Sequence, residues 1–232
     1  MALAEYSGDM NMLCSSLNMN NYFSIGCNKI VSLGKRKNVE PGVQSDRYSF
    51  QIVDNLYIIC MTHLPSRIYS GSEDARRIVI QQMIKDLEEQ EKKIKSSCSI
   101  LIGDFNEDPF GKECIAADHL HGIPCIDDAM RSNRIIQGKS FNMFYNPMWN
   151  FFGDFEKPPG TYYFSNSNVD CTYWHIYDQV MVRPCLSKQF ISDSLEIVTH
   201  TSTTELIDKK GHPNKEYSDH LPIIFEIKEE IS

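Results

Sequence analysis

Residues 100–106 read Ile-Leu-Ile-Gly-Asp-Phe-Asn, and the last three carry the chemistry. The carboxylate of Asp104 can take a proton from water or hold a metal ion. The amide of Asn106, two residues on, can donate to a phosphate oxygen. In an extended chain, residues two apart face the same side. The spacing therefore predicts that Asp104 and Asn106 share a pocket while Phe105 anchors the opposite face. An ordinary Asp/Asn turn at a strand end explains the same letters equally well. Three further places hold groups of this kind: His63 in Thr62-His63-Leu64-Pro65, Asp178 in Tyr177-Asp178-Gln179-Val180, and Asp219-His220 before Leu221-Pro222. Read singly, a histidine at a strand end is more often structural than catalytic, and Glu5 is a solvated residue near the start.

The elements that must position these groups are legible in outline. Ile100–Ile102 predict a short buried strand, and Gly103 lets its backbone turn or approach a neighbour. Arg47–Val53 and Leu56–Met61 predict a hairpin with Asp54-Asn55 as a two-residue turn. Its second strand runs out at His63, because Pro65 blocks continuation. Between His63 and Asp104 lies the clearest helix, Glu73–Lys95. Its stripe of Ile80, Met83, Ile84 and Leu87 follows the i, i+3, i+4, i+7 pattern, and Ser70 with Glu73 fits a capping box. A strand–helix–strand unit of this length implies a parallel pair joined by a right-handed crossover. Both strands then end on one sheet edge, which brings His63 towards Asp104. Asp178 and Asp219-His220 enter the strands 177–182 and Ile223–Ile227. If those run antiparallel to the first pair, all four groups meet. The result is a carboxylate-rich pocket with two histidines, suited to a hard divalent cation and phosphate chemistry.

The rest of the chain is less specific. Tyr22–Ile25, Lys29–Leu33 and Leu195–Val198 have strand-like content. Met10–Leu17 and Gly111–Asp118 suggest short helices, and Asp127-Asp128 a helix start. Lys35-Arg36-Lys37 reads as a solvated turn, and His119 with His121 as a loop rather than a metal site. Aromatic residues crowd Phe141–Tyr177; packing accounts for most, and a minority suit a stacking wall for a planar group. At 232 residues and 41% hydrophobic, the chain suits one domain over residues 1–232. A net charge of −8 argues against tight non-specific binding to duplex nucleic acid, though not against a local groove. Eight cysteines without a Cys-x-x-Cys pair argue against structural zinc. No secretory signal precedes them and no apolar run approaches a membrane span, so reduced thiols in a cytoplasm are expected. Oligomeric state is left open.

Taken in order, Thr62-His63-Leu64, Gly103-Asp104-Phe105-Asn106, Tyr177-Asp178-Gln179-Val180 and Ser218-Asp219-His220-Leu221-Pro222 resemble the motifs of the endonuclease/exonuclease/phosphatase superfamily. The likeness extends over nearly the whole chain. It implies a four-layer α/β sandwich of two mixed β-sheets flanked by helices. It also implies a Mg²⁺- or Mn²⁺-dependent phosphoric ester hydrolase acting on nucleic acid or a small phosphorylated substrate. Carried over, Glu5 in Leu3-Ala4-Glu5 becomes a metal ligand, with Asp219 at a second or shared metal position. Asp104 deprotonates the attacking water and Asn106 holds that water or a phosphate oxygen. His220 contacts the phosphate, oriented by Asp178, and His63 binds phosphate or protonates the leaving oxygen. The likeness departs at one place: the family's first strand, which carries an active-site Asn ahead of the Glu, has no counterpart here. A phosphomonoesterase, a lipid-headgroup phosphodiesterase, and a non-catalytic binding protein of the same fold are the rival readings.

Overall fold

The computed structural model describes residues 1–66, 72–153, 158–167, 169 and 171–229, with backbone alone at 72 and 73. The capping pair Ser70–Glu73 lies outside the described residues. In chain order the elements are β1 (Ala2–Ala4), α1 (Met10–Leu17), β2 (Asn20–Asn21), β3 (Ile30–Gly34), β4 (Val39–Gln44), β5 (Tyr48–Val53), β6 (Tyr57–His63), α2 (Ser72–Ile94) and β7 (Cys98–Asp104). Then follow α3 (Lys112–Ile115), β8 (Gly122–Ile123), α4 (Ile126–Ala129), β9 (Asn133–Ile136), β10 (Lys139–Asn142), β11 (Phe144–Tyr145), β12 (Tyr162–Tyr163), β13 (Trp174–His175), β14 (Asp178–Val182), β15 (Phe190–Ile197) and β16 (Ile223–Ile227).

A seven-stranded mixed sheet, ordered β4-β5-β6-β7-β14-β11-β8, forms the frame. Its parallel pair β6/β7 is the one the α2 crossover predicts. The apolar stripe of α2, with Ile80, Met83 and Leu87, packs on Phe50, Ile58 and Leu101 from one face of this sheet. The other face is covered by a second layer in two parts. One part is the β1-β3-β2 group, which seats Cys27 and Ile30 against Met61; the other is the β15-β16 ladder, packed on Ile100, Val180 and Val182. Ile102 of β7 touches both parts. The architecture is thus the expected α/β sandwich. One detail differs: among the described residues the second layer pairs antiparallel throughout and is not mixed.

Other departures are local. Tyr22–Ile25 forms no strand. Phe23 and Ile25 stand 72% and 87% exposed, so their β-favouring content is not matched by a surface to pack on. The chain turns at Gly26, where φ is +109°. The edge strand β4 has no clear strand pattern in the sequence because Pro41-Gly42 interrupts it, and a sheet edge is where proline is tolerated. The helix expected over Gly111–Asp118 shrinks to the single turn of α3. Asp54 and Asn55 both take positive φ as their hairpin turn requires, but the ladder resumes at Val53 opposite Tyr57, which leaves Leu56 as an extra residue. The strand expected at Leu195–Val198 is the end of the longer β15.

Candidate active site

Three neighbouring strands set the site residues side by side. His63, Asp104 and Asp178 are register partners across β6, β7 and β14. Gly103 makes this possible. Its φ is +135°, and a Cβ there would lie 2.0 Å from the Thr62 carbonyl oxygen, so only glycine lets β7 approach β6 this closely. The ladder continues one residue beyond the strands: Leu64 N–H donates to the Asp104 carbonyl at 2.9 Å, and Phe105 N–H to the Tyr177 carbonyl at 2.7 Å.

Asp104 and Asn106 do face one pocket, and Phe105 is fully buried against the α2 side. The route is a turn rather than an extended segment. Asn106 has φ +48°; its backbone N–H donates to Asp104 Oδ1 at 2.8 Å and its Nδ2 to Asp104 Oδ2 at 2.9 Å. A second donation from Nδ2, to the Leu64 carbonyl at 2.9 Å, fixes the amide to the end of β6. Asparagine tolerates the left-handed region because its side chain can bond locally in this way.

His220 reaches the same place from the second layer. It bridges to Tyr162, and Thr161 binds both partners: its carbonyl accepts Leu221 N–H at 2.8 Å and its hydroxyl accepts Asp178 N–H at 3.1 Å. Nδ1 of His220 then donates to Asp178 Oδ2 at 2.7 Å. Burial opposes charge on this imidazole, but the Asp178 carboxylate, with Asp104 and Asp219 beyond it, lifts its pKa to about 9. The Asp104 carboxyl is pushed up to about 7, first by burial and then by the negative charge of Asp178. His63 moves the other way, its pKa lowered chiefly by burial. Its Nε2 lies 3.5 Å from Asp104 Oδ2, and its buried Nδ1 has no hydrogen-bond partner.

These residues floor a cleft of about 1570 Å³. One bank is β1 and the turn that follows it; the other is the segment 217–222. Glu5 sits on the first bank with φ +52°, its backbone N–H donating to the Lys29 carbonyl at 2.9 Å and its carboxylate 3.9 Å from His63 Nδ1. Asp219 sits on the second. Glu5, Asp104, Asp178 and Asp219 thus line one cleft. Among the described residues, no three metal-binding side chains converge closely enough to grip an ion by themselves. The donor chemistry nevertheless fits a small hard cation, which uses one or two carboxylates and otherwise keeps water and substrate oxygens. The unpartnered His63 Nδ1 and the raised Asp104 mark a place short of positive charge and donors.

The remaining wall of the cleft comes from the aromatic stretch, where the sequence suggested that a minority of rings form a stacking wall but not which ones. Tyr162, Phe164, His175 and Tyr177 line it. The aromatic stretch therefore divides: Phe144, Tyr145 and Met148 are core, and the later rings face the cleft. The alternation of His175 with Tyr177 was the available signal, but an irregular Gly- and Pro-rich surrounding hid it. His119 and His121 stay away from the site, bonded to Asp118 and the Asn142 carbonyl.

No family model matches the chain, and no curated protein sequence does. Solved structures do. The 3′-5′ exonuclease NExo from Neisseria meningitidis matches at 12% identity and TM-score 0.56, over 97% of this chain and 88% of that one. The NExo 3′ phosphatase variant D146N bound to product DNA hairpin matches at 13% and 0.52, over 98% and 88%. Truncated TDP2 of Caenorhabditis elegans matches at 16% and 0.53, over 96% and 81%. These likenesses show the fold. It is the α/β sandwich that this chain has in common with those three structures.

Proposed function

We propose that this chain is a divalent-metal-dependent phosphoesterase that hydrolyses a phosphodiester, with nucleic acid as the substrate class. The observation that carries the reading is the row His63–Asp104–Asp178 in register on three strands, with His220 clamped to Asp178 from the opposite layer. A nuclease-like fold, a DNA-bound structural neighbour and an aromatic wall beside the row favour a nucleic acid.

In this reading Asp104, with a pKa near neutrality, takes the proton of the attacking water, and Asn106 holds that water or a phosphate oxygen. His220 carries its proton at neutral pH and donates to the phosphate. His63, beside Asp104, would bind the phosphate or protonate the leaving oxygen; burial lowers its pKa, so it binds a proton less readily than His220. Glu5 and Asp219 would hold Mg²⁺ or Mn²⁺, which when bound supplies positive charge to the phosphate oxygens. All eight cysteines are free thiols, which supports a reducing, cytoplasmic location. No described helix is long and apolar enough to cross a membrane.

The test is Mg²⁺-dependent hydrolysis of bis(4-nitrophenyl) phosphate and of single-stranded DNA by wild type, Asp104→Asn and His220→Ala. Each substitution is expected to cost at least about a hundredfold in kcat, the usual effect of removing a general base or a charge-stabilising donor. Equal rates in all three proteins would sink the assignment.

A further inference from the structure

The cleft carries a third imidazole, besides those of His63 and His220, that the mechanism above leaves unused. Nδ1 of His175, in β13, lies 2.8 Å from Asp108 Oδ2. The other oxygen of Asp108 accepts the Ile176 N–H, also at 2.8 Å. With both carboxylate oxygens accepting, the shared proton belongs to His175 Nδ1, and Nε2 is left for the cleft that the residue lines. This repeats the construction of His220 on Asp178. Asp108 and His175 are both largely buried, with side chains 12% and 16% exposed. Tying the loop after β7 to β13 would need only the Asp108–Ile176 bond and no imidazole.

The two imidazoles are joined by rings. Tyr162 lies 4.7 Å from His220 and 5.3 Å from Tyr177, centroid to centroid, and Tyr177 lies 4.8 Å from His175. Tyr162 stacks on Tyr177 at 20° and Tyr177 on His175 at 24°. A continuous aromatic face therefore runs from one carboxylate-held histidine to the other. Tyr162 lies 4.7 Å from His220 and 6.5 Å from His175, so the two imidazoles are no more than about 11 Å apart, within reach of neighbouring phosphates on one strand. A phosphate at His175 would draw a proton to Nε2 and accept it as a charge-assisted hydrogen bond. A sugar or base between the two phosphates would lie along the tyrosine face.

We propose that His175 binds a second phosphate of the substrate, the one flanking the phosphodiester that is cleaved, with Asp108 as its positioning residue. The inference rests on the phosphodiesterase reading and assigns its substrate subsite. The experiment compares TpT, pTpT and TpTp as Mg²⁺-dependent substrates of wild type, His175→Gln and His175→Ala. Calorimetric binding of thymidine 3′,5′-bisphosphate, set against the two thymidine monophosphates, runs in parallel. Wild type should prefer one phosphorylated dinucleotide over TpT by at least about tenfold in kcat/KM, through KM. It should also bind the bisphosphate at least about tenfold more tightly than either monophosphate. Both preferences should fall to within about twofold in His175→Gln and His175→Ala. Preferences that persist in the two variants, or that wild type never shows, overturn the subsite. If none of the dinucleotides is hydrolysed, the hydrolase reading fails, while the bisphosphate comparison still decides the subsite.

Discussion

Asp104 and His220 carry opposite electrostatic consequences of one arrangement. Asp104 lies in a dry corner beside another carboxylate, so its folded-state pKa, about 7, stands above the ordinary 3.8. A raised acid binds its proton more tightly when folded. Its contribution to stability is therefore complete below pH 3.8 and is lost as pH rises through 7, beyond which the buried charge opposes folding. In metal-free buffer, Asp104→Asn should thus stabilise the protein at pH 8 by about 2 kcal/mol, a figure that allows for one mismatched hydrogen bond to Asn106. The gain should shrink towards pH 5. Urea unfolding at the two pH values measures it, and a variant less stable than wild type at pH 8 would contradict the electrostatics. His220 is also raised, to about 9, but as a base it is stabilised in its charged form. Its contribution is full below 6.5 and lost as pH rises through 9. Asp178→Asn should lower the His220 pKa by at least one unit, read from the imidazole resonances in an NMR titration, and should move the alkaline limb of the pH–rate curve down with it. An unchanged titration would mean that Asp178 does not hold the proton in place.

The strand trio β6-β7-β14 converts those residue properties into a site, because register fixes which side chains are neighbours. Gly103 is its weak point by sequence and its keystone by geometry. Gly103→Ala places a Cβ against backbone, where nothing can rotate away, at a φ that disfavours L-residues. A loss of at least about 3 kcal/mol is expected by denaturant titration. Gly138, with φ +77° and nothing within 4 Å of its would-be Cβ, is the control: Gly138→Ala carries backbone strain alone and should cost about 1 kcal/mol. Similar losses at both positions would show that the approach of β7 to β6 is not tight. Behind the trio, α2 contributes more than its apolar stripe. The fully buried Arg76 donates from Nη1 to the Asn106 carbonyl and to Glu107 Oε2, at 2.5 and 2.8 Å, and so braces the loop that carries Asn106.

At the scale of the molecule, the site is a seam. Its floor belongs to the large sheet and its banks to the two parts of the second layer, so residues far apart in sequence face one another across it. Glu5, Asp104, Asp178 and Asp219 bring mutual repulsion to a chain already at −8. A divalent cation should relieve this repulsion. Mg²⁺ at a hundred times its Kd should stabilise the fold by about 2.7 kcal/mol, visible as a rise in Tm that a chelator reverses and that Glu5→Gln with Asp219→Asn abolishes. A Tm indifferent to Mg²⁺ would remove the metal from the account. The helix stripe of α2, the buried strand Ile100–Ile102 and the crossover that sets His63 beside Asp104 were legible from residue order alone. Periodicity and connection length are local properties, and handedness leaves one way to join such strands. The meeting of Asp108 with His175, the place of Tyr162 between two histidines, and the division of the second layer into two separate groups emerge only in the folded chain. Those outcomes depend on how irregular loops settle on the large sheet, and no spacing along the chain encodes which of them touch.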